Sequence, residues 1–331
     1  RRWMQCSQML DDSILRSWKR IGSGGFGQIY RARHEGWRMD VFFHLSVFLL
    51  RSTNIKSSSP ILHPNSCRAD LLKEANLMRQ GGNPYVLRIM GVYQGRPSHS
   101  ASSSEQLGLV MEFMERGSLE SVQESLGVAL GMNFLHCLKP ALLHLDLKPS
   151  NVLLDSDLNA KLTDFGLAKL ARSTSKAASD EDGEAKGTIG YMPPEAFQAS
   201  YKPTFASDVY SYGVLLWSIF TGERPYPCEY ACSSVVRLGV TRGDRPGLEN
   251  LTGARPAGLE ELTGLMRECW AADAARRPSF KMCLLVTEGL WEMQKSHIND
   301  AVYQVQRTLV CDICAMSTKA YFSGCIRNVA Y

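Results

Sequence analysis

Four side chains between His144 and Gly166 have types and spacing suited to moving a phosphoryl group. In His144-Leu-Asp-Leu-Lys-Pro-Ser-Asn-Val-Leu-Leu154, Asp146 can accept the proton of an attacking hydroxyl. Lys148, two residues on, can neutralise charge on the group in transit, and Asn151 can lend an oxygen to magnesium. Leu162-Thr-Asp-Phe-Gly166 then supplies Asp164 as the main magnesium ligand. A lone Asp-Phe-Gly is most often a turn. Here it follows Asp146 by 18 residues, room for a hairpin of two short strands.

Upstream, Ile21-Gly-Ser-Gly-Gly-Phe-Gly-Gln-Ile-Tyr30 holds Gly22, Gly24 and Gly27 in G-x-G-x-x-G spacing, with Gly25 between them. Glycines let a backbone close over phosphates and offer its N–H groups as donors. Dinucleotide-binding loops share this spacing, but they open a helix and need an acidic residue about 20 positions later. Residues 28–33 alternate like a strand instead, so the loop is expected to join two strands. A plain turn is the other reading of these glycines taken alone.

The elements that must position these groups fall into two parts. Residues 18–113 are mostly short apolar runs broken by Gly, Pro and Ser. One helical pattern interrupts them at 68–80, where Leu71, Leu72, Ala75 and Met78 recur at helical spacing before Gly81 and Gly82. Residues 41–50 form an apolar run too short to span a bilayer, which takes about 20 residues, and read as a buried strand. From Ser118 onward helices dominate: 207–220 is apolar nearly all round, and 259–270 and 282–293 are amphipathic. The division expected is a lead-in at 1–17, a domain at 18–293 with lobes 18–113 and 114–293, and a poorly ordered tail at 294–331. Polar stretches at 98–106 and 173–186 read as solvated loops.

Composition excludes several classes. With 44% hydrophobic and 21% charged residues, the chain is neither intrinsically disordered nor low in complexity. A net charge of +4, from 37 basic and 33 acidic residues, argues against a nucleic-acid partner. Ten cysteines spread along the chain lack the spacing of a small disulfide scaffold and suggest a reducing, cytoplasmic setting. No secretory signal pattern and no transmembrane segment is read. Cys311-x-x-Cys314 has no second pair to complete a zinc site, and His34, His63, His99 and His297 show no ligand spacing.

The run from His144 matches the protein-kinase motif H-R-D-L-x-x-x-N at every fixed position but one. Gly190-Tyr-Met-Pro-Pro-Glu195 is similar to the A-P-E element, Arg277 matches the Arg that pairs with its Glu195, and Asp208 matches the Asp of the buried helix that holds the catalytic loop. Over 18–293 the chain resembles a eukaryotic protein kinase. Val86-Leu-Arg-Ile-Met-Gly-Val92, Phe113-Met-Glu-Arg-Gly-Ser-Leu119 and the extended catalytic run resemble the receptor-interacting protein kinase family. That resemblance implies an α+β bilobal fold, with a small antiparallel β lobe carrying one helix and a larger, mainly helical lobe. It implies ATP and Mg2+ between the lobes, with Met111 as gatekeeper, Glu112 to Met114 as the hinge, and Ile21, Ile29 and Leu153 around the purine. It further implies a Ser/Thr kinase of death-receptor signalling, with a pseudokinase executioner of necroptosis as protein substrate and other receptor-interacting kinases as partners.

Three departures qualify the resemblance. The third-strand V-A-I-K is replaced by Val41-Phe-Phe-His44, so His44 stands where the phosphate-anchoring lysine belongs. An imidazole is shorter and, with an unperturbed pKa near 6.5, largely neutral. Lys56 replaces it only if the strand slips register, which also exchanges the faces. Glu74 would then lack its usual partner. The stretch 42–67 is long and unlike the family, and read-through of a non-coding segment accounts for it. The region 120–135 is about a dozen residues short of two helices. Leu145 replaces the catalytic-loop arginine, so activity is expected not to need phosphorylation at a site such as Thr188. A catalytically impaired scaffold is therefore the alternative reading.

Overall fold

Two-residue alternation in the first part of the chain builds a sheet whose faces have different fates. The computed structural model describes residues 9–24, 27–37, 39–46, 76, 83–95, 106–114, 123–157, 159–170, 187–226, 233–251 and 258–293. Six strands form one sheet: β1 (Met9–Leu10), β2 (Leu15–Gly24), β3 (Gly27–His34), β4 (Met39–Ser46), β5 (Ile89–Gly95) and β6 (Gln106–Glu112), in the order β1-β5-β6-β4-β3-β2. Tyr30, Ala32, Val41, Tyr93 and Val110 put their side chains on the outer face, against Leu10, Leu15 and Trp18. Their neighbours Val92, Leu109 and Met111 face the other way and join the main core. That one-residue offset is the period-2 rule at work.

The sheet is not wholly antiparallel as expected. β1 runs parallel to the free edge of β5, with Met9 opposite Val92 and Leu10 opposite Tyr93. Two residues are too few to show alternation. Leu10 holds the strand there by burying to 1% exposure. The Tyr93 hydroxyl adds a 2.5 Å bond to Asp12 in the turn that follows.

The second part is mainly helical: α1 (Gln123–Cys137), α2 (Phe205–Thr221), α3 (Ser233–Arg242), α4 (Leu259–Cys269) and α5 (280–293). α2 is buried from Ser207 to Ile219, as its uninterrupted apolar character requires. Ser207 accepts the N–H of Thr204 at its start (3.1 Å), and Gly222 ends it in the left-handed conformation at φ 68°. Gly213 permits the close approach of α4, since a Cβ there would lie 2.7 Å from that of Cys269.

Two small sheets lie between α1 and α2. β7 (Leu142–Leu143) pairs with β10 (Lys169–Leu170), and β8 (Val152–Leu154) pairs with β9 (Ala160–Leu162). The β8–β9 pair is the hairpin expected between Asp146 and Asp164. Backbone bonds join the lobes there: the Leu87 N–H donates to the Leu162 carbonyl (2.9 Å), and the Leu162 N–H to that of Tyr85 (2.8 Å). Of the helix expected at 68–80 only Asn76 is described, and it is helical. Glu74, Lys56, the tail and the stretches 98–106 and 173–186 expected as loops lie outside the described residues, except Gln106, which opens β6. Among the described residues no helix is long and apolar enough to cross a membrane.

Candidate active site

Asp146 sits where the loop after β7 is gripped from below. The Asp208 side chain on α2, with no exposed surface, accepts the N–H groups of His144 (3.0 Å) and Leu145 (2.8 Å). His136 on α1 meets Asp208 Oδ2, the oxygen that accepts from His144, at 2.8 Å, while Leu145 donates to Oδ1. These bonds hold Leu145 at φ 67°, a left-handed conformation costing a non-glycine residue about 1 kcal/mol. The 3-10 turn Pro149–Asn151 then brings Asn151 back under the loop. A proline inside its first turn supplies the φ such a turn needs.

Both Asp146 oxygens are occupied. Oδ1 accepts the backbone N–H of Thr188 (3.1 Å) and its hydroxyl (3.0 Å). Oδ2 accepts the Lys148 ammonium (2.6 Å) and the Asn151 amide (3.1 Å). Lys148 also donates to the Thr188 hydroxyl, at 2.8 Å. Burial pushes the Asp146 carboxyl up, but Lys148 and the two Thr188 bonds outweigh it and hold the group below the usual carboxylate range. Asp146 therefore stays an anion at neutral pH.

The Asn151 amide also donates to the Asp146 carbonyl (2.8 Å), which fixes its NH2 end and turns its oxygen away. Asp164, at φ 62°, lies just beyond the hairpin. One amide oxygen and one carboxylate are hard donors of the kind Mg2+ takes together with phosphate oxygens. Among the described residues no group of three or more His, Cys, Asp or Glu side chains forms a cage of its own. The donor set thus fits a divalent cation brought in with a polyphosphate.

The glycine loop joins two antiparallel strands. Gly24 of β2 is opposite Gly27 of β3, and Gly22 is opposite Ile29, while Gly25 lies outside the described residues. A strand, not a helix, follows these glycines, which removes the dinucleotide-loop reading. Ile21 is 45% exposed, whereas Met111 and Met114 are buried in the main core, with Leu153 packed against it. The backbone places His44 on β4 opposite Ile29 and Leu109. His44, which the sequence puts in the place of an anchoring lysine, thus lies on β4, the strand paired with β3 of the glycine loop.

Three contacts escape a reading by spacing. Thr188 lies 42 residues from Asp146, and sequence marks it only as a candidate phosphorylation site. His136 meets Asp208 across 72 residues. Glu112, at the end of β6, accepts the Lys161 ammonium of β9 at 2.9 Å. By contrast, the pairing of Glu195 with Arg277, read from the motif, is present as two bonds of 2.6 and 2.8 Å.

The model of the family described as protein tyrosine and serine/threonine kinase matches residues 15–286. The chain belongs to this family. It is 35% identical over 308 residues to receptor-interacting serine/threonine-protein kinase 4 of Mus musculus, covering 89% of this chain and 36% of that protein. It is 36% identical over 303 residues to receptor-interacting serine/threonine-protein kinase 3 of Homo sapiens, covering 86% and 53%. Ankyrin repeat and protein kinase domain-containing protein 1 of Homo sapiens is 32% identical, covering 87% and 36%. The chain thus spans between about a third and a half of the length of these relatives. The bilobal α+β kinase fold is shared with the family.

Proposed function

We propose that this kinase domain transfers the ATP γ-phosphoryl group to serine or threonine hydroxyls of a protein. The observation that carries the reading is the Asp146 carboxylate held ionised by Lys148 and Thr188 beside Asn151. Mg·ATP supplies the transferable group when bound. Asp146 takes the proton of the acceptor hydroxyl as its oxygen bonds to phosphorus and the bond to the departing diphosphate breaks. The Lys148 ammonium offsets the charge on the group in transit. Asn151 and Asp164 would hold the cation. Ile21, Ile29 and Leu153 would enclose the purine, with Met111 behind it, Glu112 and Met114 reading it through the backbone, and Gly22, Gly24, Gly25 and Gly27 covering the phosphates.

Likeness to receptor-interacting kinases supports the finer parts of the reading. These are cytoplasmic death-receptor signalling, a necroptotic pseudokinase substrate, and other receptor-interacting kinases as partners. One observation supports a second reading, a catalytically impaired scaffold: the sequence has His44 where the family's motif has its lysine, and His44 lies on β4 opposite Ile29.

The test is phosphotransfer from Mg·ATP to a basic protein acceptor by the parent, His44→Lys and Asp146→Asn chains. A parent rate that rises with His44→Lys and vanishes with Asp146→Asn is expected. Transfer that survives Asp146→Asn sinks the assignment of the base. Nucleotide binding with no transfer from either the parent or His44→Lys leaves the scaffold standing.

A further inference from the structure

The hinge is tied to the floor of the cleft by one ion pair that the catalytic reading does not use. Lys161 is the middle residue of β9, and its register partner is Leu153 of β8. Cross-strand partners share a face, so the lysine rises beside the residue proposed as the purine floor. Its ammonium reaches 2.9 Å from Glu112 Oε1, where the hinge begins. The same oxygen accepts the backbone N–H of Arg88, at 2.9 Å. The Glu112 N–H in turn donates to the Arg88 carbonyl (3.1 Å), and residues 85–87 pair with Leu162, the neighbour of Lys161.

These contacts close a ring: β9, residues 85–88, Glu112 and back to β9. Every other link in it is a bond to backbone, either backbone to backbone or, at Arg88, from its N–H to the Glu112 carboxylate. Lys161 to Glu112 is the one link in this ring made between two side chains, and Lys161 takes part in the ring through its side chain only there. The side chains are 15% and 22% exposed. The pair is thus partly desolvated, and stiffer against salt than a surface pair.

We propose that Lys161 is a positioning residue for nucleotide binding, its ion pair with Glu112 setting the height of the purine slot between hinge and floor. The proposal rests on the kinase reading above. Loss of the ammonium leaves the Glu112 carboxylate with the Arg88 N–H alone among the described residues, and the hinge is then free to shift against Leu153. Lys161 touches none of the reacting groups, so the chemical step is not affected.

The experiment measures the dissociation constant of fluorescent Mg·ADP, and KM for ATP against kcat, in the parent, Lys161→Met, Lys161→Arg, Glu112→Gln and the Lys161→Met/Glu112→Gln double variant. Lys161→Met is expected to weaken nucleotide binding and raise KM about fivefold, the scale of one charge-assisted bond felt in part at the ligand. Its kcat stays within about twofold of the parent. Lys161→Arg restores binding, and the double variant is no worse than the worse single, as two residues acting through one bond require. Equal nucleotide affinity in the parent and Lys161→Met overturns the proposal while leaving the kinase reading intact. So does a loss in Lys161→Arg as large as in Lys161→Met, or a fall in kcat with KM unchanged. A parent that binds no nucleotide removes the kinase reading and this proposal with it. If Lys161→Met fails to fold, Glu112→Gln and Lys161→Arg decide on the same criteria.

Discussion

Thr188 spends both its donors on the Asp146 carboxylate, the proposed base, and that makes its hydroxyl testable by pH. The hydroxyl bond at 3.0 Å is among the interactions holding Asp146 anionic. Thr188→Val keeps the shape and the N–H bond but removes that donor. The Asp146 carboxyl should then titrate higher, so the acid limb of the kcat/KM profile moves toward neutral pH. An acid limb that does not move would show that Lys148 and the retained Thr188 N–H hold the ionisation against burial without the hydroxyl. His34 gives a second pH prediction at this scale. Its Nδ1 accepts the Trp37 N–H (3.0 Å), the two rings stack at 3.7 Å, and Nε2 is buried without a partner. Desolvation lowers its pKa, so the folded chain prefers the neutral ring. The unfolded chain binds the extra proton first. The stability contributed is therefore whole above the unfolded value near 6.5 and is lost as pH falls through it toward the folded value. Melting between pH 8 and 5 should fall for the parent and flatten for His34→Phe.

Helices pack here through glycines and paired charges, and each gives a prediction with a sign. Gly213→Ala would improve the helix propensity of α2 by about 1 kcal/mol. The new Cβ, however, would sit 2.7 Å from that of Cys269 and 3.3 Å from the Met266 carbonyl. Overpacking of this kind costs about 1–3 kcal/mol, so a net loss is expected in chemical denaturation. Arg277 binds Glu195 and also donates to the carbonyls of Ala206 and Ala271, tying α2 and the segment before α5 to the Pro194–Phe197 turn. Glu195→Ala leaves the guanidinium buried without its countercharge and should cost about 3–5 kcal/mol. Glu195 and Arg277 were legible because a motif names both ends. The helices were legible because long apolar periods leave little choice, as α2, α4 and α5 show. The contacts among Asp146, Lys148 and Asn151 were legible because they lie within five residues of one another. Thr188, His136 and Lys161 were not, since the fold brings each across 42 to 72 residues to a partner that no period announces.

At the scale of the whole molecule, the described residues form two apolar cores that share no residue, and the boundary runs through the sheet. The outer cluster is built by Leu10, Leu15, Trp18, Tyr30, Ala32, Val41, Tyr93 and Val110. The inner face of the same strands belongs to the main core through Val92, Leu109 and Met111. Damage to the outer cluster should therefore loosen one lobe without touching the other. Leu10 is the sharpest probe. It is 1% exposed, it lies on the strand that covers the edge of β5, and nothing in its two-residue stretch marked it as core. Leu10→Ala removes buried methyl groups at a site backed by Leu15, Trp18 and Tyr93. A cost of about 2–5 kcal/mol follows, and it falls on the small lobe. Hydrogen exchange separates the outcomes. Amides of β2, β3 and β5 should exchange faster in the variant, while those of α2, buried in the other core, keep the parent's rates. Equal acceleration in both lobes would mean that the backbone bonds at Leu162 couple the two cores into one cooperative unit.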